Sequence, residues 1–354
     1  MINGLVAIAQ CGMPIVYFMI VGDIGHGLLQ KIDKINGTWW ADKQFPILVV
    51  AVILFIFAIK KEIQELKSAG FILLAGVMLF VLAMTILLIK DGTGEFDFGD
   101  LSKPNFDIEM LANVPTIFLA YGFQSAFFPA YQSLKVKTDA NGLKATVASF
   151  SFCTTVYVAA SLVSLLKFGN ALEGNVLVNV GDLTGALSII IDIVFLFIAM
   201  MHIPIVLFVG KEAVLIIVDE ILRKSYSNAP RATIDNAYNL RESVLKKEGA
   251  EAEGKAYLTM NSILYYVISI GIYAVIVLLA CVLNDITLVF GVIGSIAGSY
   301  LIFIAPSSFY LRSIQLEEAE VELWKKLIAW AYMILGVIIF FVCMFATLYT
   351  GIKK

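Results

Sequence analysis

Residues 110–134, MLANVPTIFLAYGFQSAFFPAYQSL, have the length of a membrane-spanning helix but carry side chains that a plain span does not need. A helix requires roughly 20 apolar residues to cross the hydrocarbon core of a bilayer. Within this window Gly122, Gln124, Ser125 and Pro129 lower helix propensity, add polar groups and remove one backbone donor. Backbone opened at membrane depth persists only where protein or a water-filled cavity satisfies it. Discontinuous helices of this kind hold charged or polar ligands near the midplane through their freed N–H and C=O groups. Gly122, Gln124 and Ser125 are therefore candidate ligand contacts. The competing reading is a proline kink closed by a neighbouring helix.

Two further residues could carry chemistry, Asp192 and His202, both inside a long apolar run. Ionisable groups within spans are costly and face a cavity or a partner. Ten residues apart on a helix, their directions differ by roughly 80°, so they could flank one cavity without touching. His202 changes charge near physiological pH and suits a proton-coupled step, and Pro204 is placed to open the helix beside it. The alternative is a neutral histidine bonded to a neighbouring helix. Asp192 and His202 are the candidate coupling or gating residues, and Asp23, near the end of the first span, reads equally well as a structural carboxylate.

Nothing points to an enzyme. The chain has two histidines, no Gly-rich phosphate loop between a strand and a helix, and no Cys, His and carboxylate cluster with metal-ligand spacing, so neither a cofactor nor a metal is expected. The four cysteines lie in apolar runs and read as small buried hydrophobes.

The elements that must position these residues are transmembrane helices. The chain is 60% hydrophobic and 15% charged, with a mean hydropathy of +0.89. That composition excludes an ordinary soluble domain, and a net charge of −3 gives no case for nucleic acid. The expectation is an all-α polytopic protein, a single transmembrane domain over 1–354. Nine spans are read at about 5–29, 45–59, 71–89, 110–131, 145–166, 186–210, 258–283, 286–310 and 327–349. Seventeen Lys and Arg fall on the N-terminal side of these spans and eight on the other. By the positive-inside rule the N terminus is expected on the cytoplasmic or matrix side. The loop 219–254 on that side mixes charges and reads as a surface helix pair. On the opposite side 91–107 is acidic, either a solvated loop or a vestibule that concentrates cations. Gly291, Gly294, Ser295 and Gly298 give small-xxx-small spacings that allow close backbone approach of a neighbouring helix.

Four stretches carry a family resemblance. The eighth span, from Phe290-Gly291-Val292-Ile293-Gly294-Ser295 to Pro306-Ser307-Ser308-Phe309-Tyr310-Leu311, is similar to the tenth helix of the amino acid/auxin permeases, near their neutral amino-acid branch. His202-Ile203-Pro204-Ile205-Val206-Leu207-Phe208 resembles the eighth helix of that family. Ala120-Tyr121-Gly122-Phe123-Gln124 through Pro129 to Lys135 resembles its broken sixth helix, and Tyr17-Phe18-Met19-Ile20-Val21-Gly22-Asp23 its third. The stretches are collinear. The resemblance implies an inverted-repeat amino-acid transporter fold of which this chain supplies helices three to eleven, without the first two.

It implies secondary transport of a small neutral amino acid contacted by Gly122, Gln124 and Ser125, coupled to H+ or Na+. Two positions depart from the family. His202 stands where sodium-coupled members place a hydroxyl, and Asp192 where several carry a basic residue. The alternative is a transport-inactive permease core retained as a structural or accessory subunit. The expected partners are the lipid bilayer and either further membrane subunits or a chain supplying the first two helices.

Overall fold

The computed structural model describes residues 2–32, 38–60, 69–95, 107–122, 127, 131, 134–183, 185–223, 261–316 and 322–353. Among them there is helix and no strand. The helices are α1 (Ile2–Gln30), α2 (Gln44–Ile59), α3 (Ala69–Asp91), α4 (Ile108–Ala120) and α5 (Asp139–Phe168). They continue as α6 (Val176–Asp182), α7 (Ala186–Arg223), α8 (Ser262–Val282), α9 (Ile286–Leu316) and α10 (Leu323–Lys353). Among the described residues seven are long and apolar enough to cross a membrane, and α2 and α4 are shorter apolar helices. The span boundaries read from hydropathy mostly fall inside longer helices. Hydropathy registers the apolar core, whereas helices continue into polar flanks through caps such as Thr138, whose side chain accepts from Asn141 N–H ahead of α5.

The centre is an antiparallel seam between α1 and α7. Residues 17 and 202 meet across it, as do 31 and 192, and Gly210 lies against the backbone of Gln10 and Cys11. A Cβ at Gly210 would come within 2.8 Å of that backbone, so the absent side chain sets the helix spacing. Around the seam α2, α8 and α9 close one core, with Phe18, Leu54, Ile203, Tyr273 and Ile293 buried together. A second cluster joins α3 to α6 and α7 through Met84, Val180 and Ile191. The outer helices are different. Only 11% of the α5 span and 17% of the α10 span are buried, and their apolar side chains face outward, as lipid or further protein requires.

Three local features differ from the sequence reading. Pro204 does not open α7, which runs through it unbroken for 38 residues. Lys211, counted as a loop cation, lies inside that helix and is buried, with Nζ donating to the carbonyls of Ala58 (3.0 Å) and Lys60 (2.6 Å) at the end of α2. There it satisfies orphan acceptors and complements the negative helix end. Helix α9 widens over Gly294–Ile304, where Ala305 N–H donates to Tyr300 five residues back. The proposed surface pair in 219–254 begins within α7, and its residues 224–254 lie outside the described residues.

Candidate functional site

The break in the fourth span is real as far as it is described: α4 stops at Ala120, and Tyr121 and Gly122 follow as turn and coil. Asp107 caps the other end, accepting from Met110 N–H at 2.9 Å. At the break Tyr121 N–H donates to Ile117 and Gly122 N–H to Leu119, closing part of the exposed helix end. The Ala120 carbonyl accepts from the Tyr157 hydroxyl of α5 at 3.1 Å, and the Tyr121 hydroxyl pairs with Thr154 at 2.9 Å. A hydroxyl from a neighbouring helix thus satisfies a carbonyl at the helix end.

The same end of α4 joins the core built around the seam, where Leu119 packs on the cluster containing Phe18 and Ile203. Across the seam the His202 Nδ1 and the Tyr17 hydroxyl are 2.8 Å apart, their rings edge to face with centroids at 5.2 Å. Tyr157 lies within electrostatic reach of Tyr17. Tyr17 and His202 are half-buried, while Gly122 and Tyr157 are exposed. The result is a neighbourhood of a backbone carbonyl, phenol rings and an imidazole beside α5. Among the described residues His202 makes its one hydrogen bond through Nδ1, which leaves Nε2 for a ligand or water.

Of the residues singled out in the sequence, Gly122 is at the break, and Gln124 and Ser125 lie outside the described residues. Asp192 is not brought to His202. It is fully buried near the other end of the seam, its Oδ2 3.5 Å from Lys31 Nζ. Among the described residues its Oδ1 has no hydrogen-bond partner. Asp23 is structural: Lys43 pairs with Oδ1 at 2.6 Å, and the Asn175 side chain donates to Oδ2 at 3.0 Å. Gly294 and Gly298 do what their spacing implied, since a Cβ at either would run into Pro115 or Phe118 of α4. No group of three or more His, Cys, Asp or Glu that could hold a metal occurs among the described residues.

Sequence reasoning missed Tyr17, Tyr157 and Lys31 as site or seam partners. Aromatic residues inside spans pass for packing, and Lys31 passes for a loop cation. A phenol or ammonium opposite ionisable groups of a span is legible once the α1–α7 register is known.

The sequence family described as transmembrane amino acid transporter protein matches residues 1–352. Sodium-coupled neutral amino acid transporter 7 of Bos taurus is 23% identical over 335 residues, covering 93% of this chain and 65% of the relative. Amino acid transporter AVT6C of Arabidopsis thaliana is 24% identical over 195 residues, covering 51% of this chain and 44% of the relative. AVT6D of the same plant is 26% identical over 196 residues, with 49% and 43% covered. The chain therefore spans less than two thirds of the length of these relatives. No solved structure matches it.

Proposed function

Because the chain belongs to the transmembrane amino acid transporter family, we propose that it forms the core of a secondary transporter for a small neutral amino acid. The observation that carries this reading is the end of α4, linked to the Tyr17–His202 pair through Tyr157, which bonds the Ala120 carbonyl and lies within electrostatic reach of Tyr17. A zwitterion needs acceptors for its ammonium and donors for its carboxylate, and a helix end opened inside a span offers backbone groups for both. Gly122, with Gln124 and Ser125 after it, is the proposed main-chain and side-chain contact.

In the tautomer where Nδ1 accepts from the Tyr17 hydroxyl, the His202 Nε2 carries the proton and is the nitrogen to donate to a substrate. His202 is thus the proposed coupling residue, taking up a proton as substrate enters and releasing it on the other side. Sodium is the competing coupling ion, and it stands in the name of the bovine relative. Asp192, clamped by Lys31, is proposed to hold α1 against α7 as the bundle moves. The N terminus on the cytoplasmic or matrix side and nine crossings belong to the same proposal.

A second reading, an inactive core within a larger membrane assembly, draws on the outward apolar faces of α5 and α10. Reconstitution in liposomes separates the two. Uptake of labelled alanine or glutamine driven by a pH gradient, and reduced at least tenfold by His202→Ala, supports proton-coupled transport. Uptake that follows a sodium gradient and ignores His202→Ala would remove the coupling assignment. Absence of uptake under either gradient, from protein that melts cooperatively, would favour the structural subunit.

A further inference from the structure

Three membrane-spanning helices, α1, α8 and α9, leave a groove of about 690 Å³ between them. Its floor belongs to the central core, where Gly12, Ile15, Ile276 and Ile293 are buried. Its rim is open, with Ile8 47% and Val275 55% exposed. Every described residue that lines it is aliphatic, glycine or cysteine, so the groove offers a ligand neither charge nor a strong hydrogen bond. An occupant has to be hydrocarbon.

Two glycines line the groove, and they act differently. At Gly12 a Cβ would fall 2.5 Å from the Ile293 side chain, so the missing methyl lets α9 close on α1, the ordinary use of glycine between membrane helices. At Gly271, in the middle of α8, a Cβ would meet nothing within 4 Å among the described residues. Glycine is the poorest helix former after proline, and here no neighbouring helix needs it out of the way. Its absent side chain leaves space in the groove instead.

Size and setting select the occupant. Along α8 the lining runs from Ile268 to Leu283, about 22 Å of helix, which is more than half of the roughly 30 Å hydrocarbon core. A further transmembrane helix, some 30 Å long and about 10 Å across with side chains, fills roughly 2,400 Å³, several times the groove. One acyl chain is long, thin and apolar, and the bilayer presents it along the exposed rim of these spans.

We infer that the groove is a binding site for one acyl chain of a membrane phospholipid, seated on Gly271 between α1, α8 and α9. The tail replaces the side chain that α8 lacks and packs the three helices together. The groove shares no lining residue with the end of α4 or with the Tyr17–His202 pair, so the inference is independent of the transport reading.

The test titrates dioleoyl phosphatidylcholine into the delipidated full chain in detergent, followed by native mass spectrometry and thermal melts. The variants are Gly271→Phe and Val275→Trp in the groove, with Ile338→Phe on the exposed face of α10 as the control. One saturably bound lipid per native chain is expected, with a melting temperature that rises as lipid is added, because a ligand that binds only the folded chain stabilises it by mass action. Gly271→Phe and Val275→Trp should each weaken that binding at least tenfold and flatten the rise, whereas Ile338→Phe should do neither. Without lipid, Gly271→Phe should melt no lower than the native protein, since its ring enters space that the protein leaves open. Lipid adducts that never saturate and are alike in all four proteins would mean that the groove meets only exchanging bulk lipid, and would overturn the inference. Saturable binding untouched by both groove variants would place the lipid elsewhere and overturn it equally. A lipid-free Gly271→Phe that melts well below the native chain would show that the protein closes the groove by itself, with the same consequence.

Discussion

His202 and Asp192 lie ten residues apart on α7, about 15 Å along its axis, and α1 answers each differently. Opposite His202 it places a phenol, neutral and half-buried. Opposite Asp192 it places an ammonium, and it buries the carboxylate completely. An ion sealed in a span needs a counter-ion, and with one it holds the two helices together. A half-buried imidazole needs only one hydrogen bond to fix its ring, and its second nitrogen stays available. The presence of an ionisable residue in a span therefore does not define its role. The partner supplied by the facing helix does.

The comparison breaks most severely at Lys31. Replacing it by Met strands the Asp192 carboxylate in the seam, and thermal melts should show a loss of about 3 kcal/mol, at the low end for a buried pair because Lys31 is a quarter exposed. Adding Asp192→Asn to Lys31→Met should restore roughly half of that loss or more, since the stranded charge is gone. A double variant no more stable than Lys31→Met alone would mean that the pair contributes little in solution.

At the other pair the expected balance is reversed. His202→Ala should cost only about 1 kcal/mol of stability, a single hydrogen bond, while abolishing pH-driven uptake. A large drop in melting temperature with uptake retained would make His202 a packing residue like its neighbours. Tyr17→Phe removes one hydroxyl and should lower stability by less than about 1 kcal/mol, yet shift the pH dependence of uptake by releasing the ring of His202. The smallest effect is expected from Tyr157→Phe. Its hydroxyl is partly exposed, so stability should move by about 0.5 kcal/mol, and the change should appear as a raised KM because the Ala120 carbonyl loses its donor.

The end of α4 was legible beforehand. Gly122 follows the point where α4 ends because glycine, glutamine, serine and proline in one apolar window cannot sustain a helix, and that is local chemistry. His202 was legible as an outlier of polarity. Its pairing with Tyr17 was not, since 185 residues separate them and one tyrosine in an apolar run looks like any other.

Local rules by themselves determined the class of molecule: apolar length makes membrane helices, and small-residue spacing makes close contacts such as that of Gly294 with Pro115. Pro204 shows where local rules stop, since a helix packed along its whole length against α1 absorbs a residue that would break an isolated one. Only the tertiary structure decided which buried charge is clamped and which is left to act. Charge and hydrogen-bond partners are settled across helices, by the antiparallel register of α1 and α7, and a linear sequence does not state that register.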